Sequence, residues 1–531
     1  MVIAVLSTVL ITSVTVGPSV TSGASSKAVS SKALSSKTFV ERETSDFATL
    51  DPSAPSGNNP DLGIVTALYD RLVAPGPNGT VVPYVAKSWT ISPSAKSITF
   101  NLRTDVRCTG GPILTATDIA RSFDRLFKSP GVAFALTGGP FTAVPNNAKH
   151  RITFTSQSPA PSSVYGFASP FAGIICPAGL AHPSALITHA WGSGPYTLVS
   201  AVHNVGVVMK RNPAWKWGPD GLTSKNLPAK LDEEVIANDT TAANELVTGT
   251  LNGAQIAGTN VTRLLQDKSL VSVSAESPKT LPMVMNESPG HVTDDPQVRL
   301  AIMTAINPTD FSNAAFGKGF YSLSPSLFQK TAPCYDSATA HLIPKYSLAN
   351  AEAILLADGY TAGSGGTLTK GGSPLNITVL GVPDIDGTDG TQYIAAQLTS
   401  LGMTVTTLNE PTLATYGSYY IPGKWDVTVV DLSAPNPAPS TFMSLLSGAL
   451  PPTGTNYAYN TDAALTAAVT AAEAATGAAM CPAWHTVQRL ALSNYDLLPL
   501  SSPKAYWFGQ KGTKVQFFSP TYLETETLHH S

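Results

Sequence analysis

Charged residues are scarce in this 531-residue chain, at 13% against about 25% in an average soluble protein. The 32 Lys and Arg fall short of the 35 Asp and Glu, which leaves a formal net charge of −3. The basic excess of a nucleic-acid binder is therefore missing. No G-x-x-x-x-G-K-[ST] loop occurs, so the chain carries no P-loop ATPase. Neither a G-x-S-x-G elbow nor an H-E-x-x-H helix is present. The four cysteines form no C-x-x-C pair and no Cys-His cluster, which argues against a zinc site. His182 and His189 stand seven apart, with no carboxylate or thiol nearby to complete a site. Nothing in the sequence requires catalysis, a metal or a cofactor.

What is present describes a large folded protein. At about 150 residues per domain, the length allows two to four domains. The hydrophobic fraction of 43% is ordinary and excludes a disordered chain. Gly 42 and Pro 42 together mark many turns. Val2 to Val16 is an apolar run of signal-peptide length, short for a span of about 20 residues. Ser22-Gly23-Ala24 offers a cleavage site, and Ser25 to Lys37 reads as a flexible Ser/Lys tether. No Lys or Arg precedes the run, which leaves the natural start open, and an uncleaved anchor is the alternative reading. No other segment approaches about 18 consecutive apolar residues. An even cysteine count in an exported chain favours two disulfides among Cys108, Cys176, Cys334 and Cys481, with three connectivities open. Buried free thiols are the competing reading.

Hydrophobic periodicity places several elements. Ile98, Phe100 and Leu102 alternate with polar residues as a half-buried strand, and Ile152 and Phe154 mark another. Thr115 precedes a helical stripe of Ile119, Phe123, Leu126 and Phe127, with Asp118 in the first turn, so it reads as an N-cap. Asp295 before Pro296 opens a second helix with a stripe of Val298, Ile302 and Ile306. Ser347 to Ala357, closed by Gly359, is a third. Leu375, Ile377 and Val379 give a strand, and Ile394, Leu398 and Leu401 a helix ended by Gly402. Met403 to Thr407 and Asp426 to Val430 give two more strands. Strand–helix–strand is the unit of a parallel or mixed α/β sheet. The acidic triplet Asp232-Glu233-Glu234 reads as a solvated face, because neighbouring side chains point apart. Trp89, Trp215 and Trp217 read as core.

Several segments also stand in a distinctive order. Leu50-Asp51-Pro52 is followed by Ala67-Leu68-Tyr69-Asp70-Arg71-Leu72, then Pro83-Tyr84-Val85-Ala86-Lys87-Ser88-Trp89 and Ile98 to Arg103. Gly110 to Ile119, Gly192-Ser193-Gly194-Pro195-Tyr196 and Arg211-Asn212-Pro213-Ala214-Trp215 come next. Val298-Arg299-Leu300-Ala301-Ile302, Ala305-Ile306-Asn307 and Ala351 to Tyr360 complete the series. Together they resemble the extracellular solute-binding proteins of family 5, the oligopeptide, dipeptide and nickel-chelate receptors of ABC importers. The likeness covers about 450 residues, and its strength lies in the order rather than in any one motif.

The resemblance implies an α/β, two-lobe fold of the type II periplasmic-binding-protein kind, with the ligand cleft between the lobes. Lobe one is then expected at 39–282 plus 499–531, with an extra subdomain at about 76–190, and lobe two at 283–498; residues 1–38 are signal peptide and tether. The chain should cross between lobes near Leu281 to Asn286 and return near Leu497 to Ser502, with Asn286 and Ser501 at the junction and one sheet in each lobe. The cysteines are then expected to pair within lobes, as Cys108–Cys176 and Cys334–Cys481, because a bridge between lobes opposes hinge motion. The implied function is an extracytoplasmic receptor, not an enzyme, that captures a peptide-like or other small solute for an ABC permease and its ATPase subunits. It is expected to be monomeric, without cofactor, metal or nucleic acid. The rivals are a secreted hydrolase with dispersed catalytic residues, and the same fold binding a metal chelate, haem or oligosaccharide. Peptide receptors of this family carry an aspartate after a lobe-two strand that pairs with the peptide α-ammonium. Aligning Pro439 and Phe442 puts Pro435 at that place, so the anchor is missing, and Asp431 is the only carboxylate nearby. Asp431, Ser433, Asn436, Asn456, Tyr457, Ser501 and Ser502 are the expected cleft residues, which makes a polar, largely uncharged cleft.

Overall fold

The structure is a computed structural model that describes residues 38–54, 59–76, 80–128, 140–276, 279–330, 332–363, 365–381, 387–410, 413–430, 432–433, 439–451, 453–514 and 529–530. The expected signal segment and tether, residues 1–37, lie outside the described residues.

Strand β1 (Thr38–Glu43) leads through a loop to helix α1 (Asn59–Leu68). An antiparallel sheet of its own follows. It is built from β2 (Ala86–Ile91), β3 (Ser97–Leu102), β4 (Thr142–Asn146) and β5 (Arg151–Thr155), in the order β2-β3-β5-β4. Helix α2 (Ala116–Phe127) covers it; Thr115 is its N-cap as read, and Asp118 completes a capping box. Its buried stripe sets Phe123 against Phe154 and Phe167 at 5.0 and 5.3 Å between ring centroids. The hairpin β6 (Tyr196–Val202) and β7 (Gly206–Arg211) leads to β8 (Lys230–Val235), which runs parallel to β1. Helix α3 (Asp239–Thr248) crosses over to β9 (Gly253–Ile256), parallel to β1 on its other side, and β10 (Leu270–Glu276) follows.

The chain then enters the second half along β11 (Lys279–Met285). Helix α4 (Pro296–Ala305), capped by Asp295, and the short strand β12 (Tyr321–Leu323) come next. Helix α5 (Leu348–Ala357), capped by Ser347, precedes the expected strand–helix–strand unit. That unit is β13 (Asn376–Gly381), α6 (Gly387–Ser400) and β14 (Thr404–Asn409), with the two strands parallel. β15 (Val427–Val429) adds parallel to β13 and antiparallel to β11, and β16 (Leu432–Ser433) pairs with β11 at its start. Helices α7 (Ala463–Ala474) and α8 (Met480–Ser493) lead into the long strand β17 (Leu497–Gln510).

Buried apolar residues divide into two sets. One gathers residues 39–264 with Tyr506, Trp507 and Phe508, and the other gathers residues 281–500. They are termed lobe one and lobe two. Each disulfide lies within one set, Cys108–Cys176 in the first and Cys334–Cys481 in the second.

The expectation of a separate main sheet for each lobe needs correcting. The strands of both lobes follow one another in a single sheet, in the order β14-β13-β15-β11-β17-β9-β1-β8-β7-β6. The reason is the length of β17: 14 residues, or roughly 46 Å at about 3.3 Å per residue. Its first part pairs with β11 and its second with β9 and β10, so one strand serves both lobes.

The acidic triplet is also not a solvated face. It lies in β8, where alternation sends Glu233 inward to 2% exposure, directly opposite Glu41 of β1. The tryptophan expectation holds for Trp215 and Trp217, which are fully buried, while Trp89 is half-buried against the same core.

Candidate cleft between the lobes

The parallel strands of both lobes end at the same place. In lobe one, β1, β8 and β9 end at Glu43, Val235 and Ile256. β17 runs antiparallel to β9, with Tyr506 opposite Ile256, so those ends face the part of β17 that comes from lobe two. In lobe two, β15 runs antiparallel to β11, with Val429 opposite Met283 and Val430 bonded to the Pro282 carbonyl. The ends of β13 and β15 therefore face back toward lobe one. Ligands of open α/β sheets bind beyond the carboxyl ends of the strands. Here both sets of ends converge on one region.

The two strands that join the lobes, β11 and β17, lie side by side. Their pairing slips between Leu281 and Pro282, and Pro282 stands opposite Pro499. Proline has no N–H to give the ladder, so neither residue can donate a bond across this pair. The ladder is interrupted where a hinge needs least resistance to bending. Beside it, Ser501 is fully buried between Leu281 of β11 and Leu323 of β12, and its Oγ has no hydrogen-bond partner. Ser502 lies opposite Ser322 at 3% exposure. Thr280, which the sequence did not single out, is a second fully buried residue at this junction whose hydroxyl has no partner. A buried hydroxyl left unpaired costs about 1–3 kcal/mol, so the junction keeps polar groups in reserve.

The rim of lobe one is clamped by Arg42. Its guanidinium donates to the carbonyls of Ile236 (2.6 Å), Gln255 (2.7 Å) and Ala237 (3.0 Å), and it pairs with Asp239 at the start of α3. Asn238 caps that helix through the Thr241 N–H (2.9 Å). Asp46, in the loop after β1, meets His203 at 2.9 Å in the turn between β6 and β7. Phe47 stacks on the same imidazole at 4.4 Å between centroids.

The other expected site residues fall elsewhere. Asn456 is 1% exposed, and its amide donates to the carbonyls of Asn460 (2.7 Å) and Gly448 (3.4 Å). Tyr457 packs on Tyr420 at 4.5 Å. Both precede Ala458, whose carbonyl accepts from the Glu287 N–H, just past the end of β11 that points away from lobe one. The structure therefore does not bring this pair to the junction. Ser433 pairs with Lys279 through its backbone in β16, beside Thr280. Asp431 and Asn436, and Pro435 between them, lie outside the described residues.

Several motifs in the distinctive order prove to be framework. Asp70 is fully buried and accepts from the indole N–H groups of Trp215 (3.1 Å) and Trp217 (2.8 Å). Burial pushes its carboxyl up, while Tyr84, Ser193 and the two indoles oppose that rise. Four motifs far apart in sequence thus meet at one carboxyl group. Gly192 belongs to the same junction: a Cβ there would lie 2.0 Å from the Leu68 carbonyl oxygen. Asp51 binds Arg125 of α2 through both oxygens, and Arg299 of α4 is buried among lobe-two carbonyls.

Residues 80–452 match the bacterial extracellular solute-binding proteins, family 5 Middle. The chain belongs to this family. The Nickel-binding periplasmic protein of Escherichia coli (strain K12) is 26% identical over 371 residues, 66% of this chain and 67% of that one. The Probable D,D-dipeptide-binding periplasmic protein DdpA of the same organism is 31% identical over 188 residues, but the match spans only 32% of this chain and 35% of that relative. Among solved structures, NikA from Brucella suis in complex with Fe(III)-EDTA shares the fold with a TM-score of 0.77 at 20% identity. That match covers 93% of this chain and 100% of the other. Proteins of family 5 are solute-binding receptors rather than enzymes, and among the described residues no helix is long and apolar enough to cross a membrane.

Proposed function

We propose that this chain is an extracytoplasmic receptor that captures a small solute between its lobes and delivers it to an ABC permease. The observation that carries this reading is the convergence of both sets of strand ends on two joining strands whose ladder breaks at Pro282 and Pro499. The division of the core supports lobe boundaries near 282 and 499, and the separate β2–β5 sheet supports a subdomain within about 76–190. Ligand that touches both lobes only when they close shifts the open–closed equilibrium by its differential affinity. A micromolar dissociation constant corresponds to about −8 kcal/mol, ample for closure.

The solute we infer is one not held by a free N-terminal amine. Pro435 at the place of the family's aspartate supports this, because it removes the charge-assisted anchor that a peptide ammonium needs. Thr280, Ser501 and Ser502, three polar residues at the junction, are uncharged. A metal chelate, a modified peptide or a sugar-like solute fits such a cleft better than a generic free peptide. One similar protein is named as nickel-binding, and another is solved in complex with Fe(III)-EDTA. Calorimetry with a metal chelate, and with free and N-acetylated forms of one peptide, tests the reading. Binding of the chelate or of the acetylated form supports it. Binding of the free-amine form alone, abolished by Asp431→Asn, would show that Asp431 replaces the missing anchor and would overturn it.

A further inference from the structure

The face of lobe one that carries Phe39 holds three carboxyl groups. Alternation along β1 puts Phe39, Glu41 and Glu43 on one side and Val40 and Arg42 on the other. The parallel register sets Glu233 of β8 directly opposite Glu41. Like charges at facing positions repel, and these are sealed in: Glu41 is 6% and Glu233 2% exposed. Glu41 accepts from the Trp507 indole at 2.9 Å, and Glu233 Oε2 has no partner. Glu43 packs against α1, where a side chain on Gly63 would come within 3.4 Å of its Oε1.

Among the described residues, no basic group acts on Glu41 or Glu233. Arg42 is turned to the opposite face and is committed to three carbonyls and Asp239. Lys230 and Asp232 also lie on the opposite face and pair with each other at 2.6 Å. Helix α1 contains no Lys, Arg or His, and its one acid is Asp61. The neighbouring strand β9 contributes Gly253 and Gln255 but no charge. On β17 the nearest cation, Lys504, donates to the Gly319 carbonyl at 3.2 Å.

The start of β17 repeats the arrangement in lobe two. Asp496, the residue before the strand, is fully buried. A single guanidinium, Arg299, stands 3.3 Å from Glu287 and 3.9 Å from Asp496. It also serves the carbonyls of Tyr495, Asn494, Thr293 and Asp294. Asp462 and Asp294 add negative charge from α7 and from the turn before α4, and Asn460 donates to Glu287 at 3.1 Å. One cation cannot neutralise two buried acids with two more beside them.

We propose that β17, the strand both lobes share, is held at its two ends by buried carboxyl groups that stay protonated, so that the receptor is built for an acidic medium and loses stability as the medium turns alkaline. The groups concerned are Glu41, which accepts from Trp507 near the lobe-one end, with Glu233 facing it from β8, and Glu287 and Asp496 near the lobe-two end. Burial is the main cause at each, pushing Glu41 up to about 8, Glu287 to about 7 and Asp496 to about 9, with Glu233 raised as well. The sign follows from linkage. Between the ordinary carboxyl range and these raised values, the folded chain holds protons that the unfolded chain has released. Stability is therefore full below that window and declines as pH rises through it. The low charge density of the chain, 13%, limits the repulsion that acid would otherwise create.

The test is the melting temperature of the full chain from pH 4.5 to 8.5 at constant ionic strength, for wild type, Glu41→Gln, Glu233→Gln and Asp496→Asn. The expected wild-type profile is highest in the acidic half and falls by several degrees toward pH 8.5. Each amide variant should melt near wild type at pH 5 and above it at pH 8. A wild-type profile that is flat or rises from pH 5 to 8 would overturn the proposal. So would a fall that all three variants retain in full, since other groups would then cause it. Proton exchange on denaturing the wild type at pH 6.5 tests the same point without any variant. Net release is expected, and net uptake or no change would overturn it.

Discussion

Replacing Arg42 by Met would show how firmly the rim of the cleft depends on one side chain. The Arg42 side chain is 2% exposed and joins the ends of β8 and β9 to the start of α3. The variant deletes three charge-assisted bonds to carbonyls and one ion pair. A hydrogen bond to a charged group contributes about 1.5–3 kcal/mol, which puts the upper bound for three near 9 kcal/mol. The real loss is smaller, because carbonyls at a sheet edge regain water once the guanidinium is gone. Asp239, at 38% side-chain exposure, is already solvated and adds at most about 1 kcal/mol. We expect a loss of about 3–5 kcal/mol in lobe one, the three carbonyl bonds discounted for the water that replaces them. Arg42→Lys keeps the charge but not the planar fork, and should lose about half as much. Urea unfolding followed by intrinsic fluorescence is the assay. The lobe-one transition should move to lower urea while the lobe-two transition stays in place. A shift worth less than about 1 kcal/mol, or an equal shift of both transitions, would refute the claim that Arg42 clamps this rim.

Two further outcomes follow from the framework. Replacing both Cys334 and Cys481 by Ser opens a loop of 147 residues and should destabilise lobe two by up to about 5 kcal/mol in the chain-entropy model, whereas the 68-residue loop of Cys108 and Cys176 should be worth slightly less; denaturant midpoints of the two double variants would rank them. Asp70→Ala leaves the buried indoles of Trp215 and Trp217 without an acceptor and should cost about 3–5 kcal/mol, while Asp70→Asn, which keeps one acceptor oxygen, should cost less than half of that in the same urea titration.

Much of the fold was legible one element at a time. The alternation at Ile98 to Leu102, the Thr115 cap with Asp118, the Asp295 cap, the helix read at Ser347 to Ala357 and the strand–helix–strand unit from Asn376 to Asn409 are all present. Each depends on residues two to four positions apart, and that is the range over which side-chain period and capping act. The order of motifs pointed to the family because order along the chain is itself a sequence property. Tertiary structure decided what faces what. Glu41 and Glu233 are 192 residues apart, and only the parallel register of β1 and β8 makes them neighbours. The triplet at 232–234 looked solvated because its local charge is high. The strand that carries it is covered on one face, so the middle carboxyl is buried. Tertiary structure also set the surroundings of Asn456 and Tyr457, whose loop closes on Glu287 just past the end of β11. It also made Asp70 the meeting point of four motifs. Sequence determined the elements and the family, through short-range periodicity and order. The pairing of distant strands, settled by burial of both lobes against the shared strand β17, decided which polar groups lie at the junction and which buried acids lie beneath it.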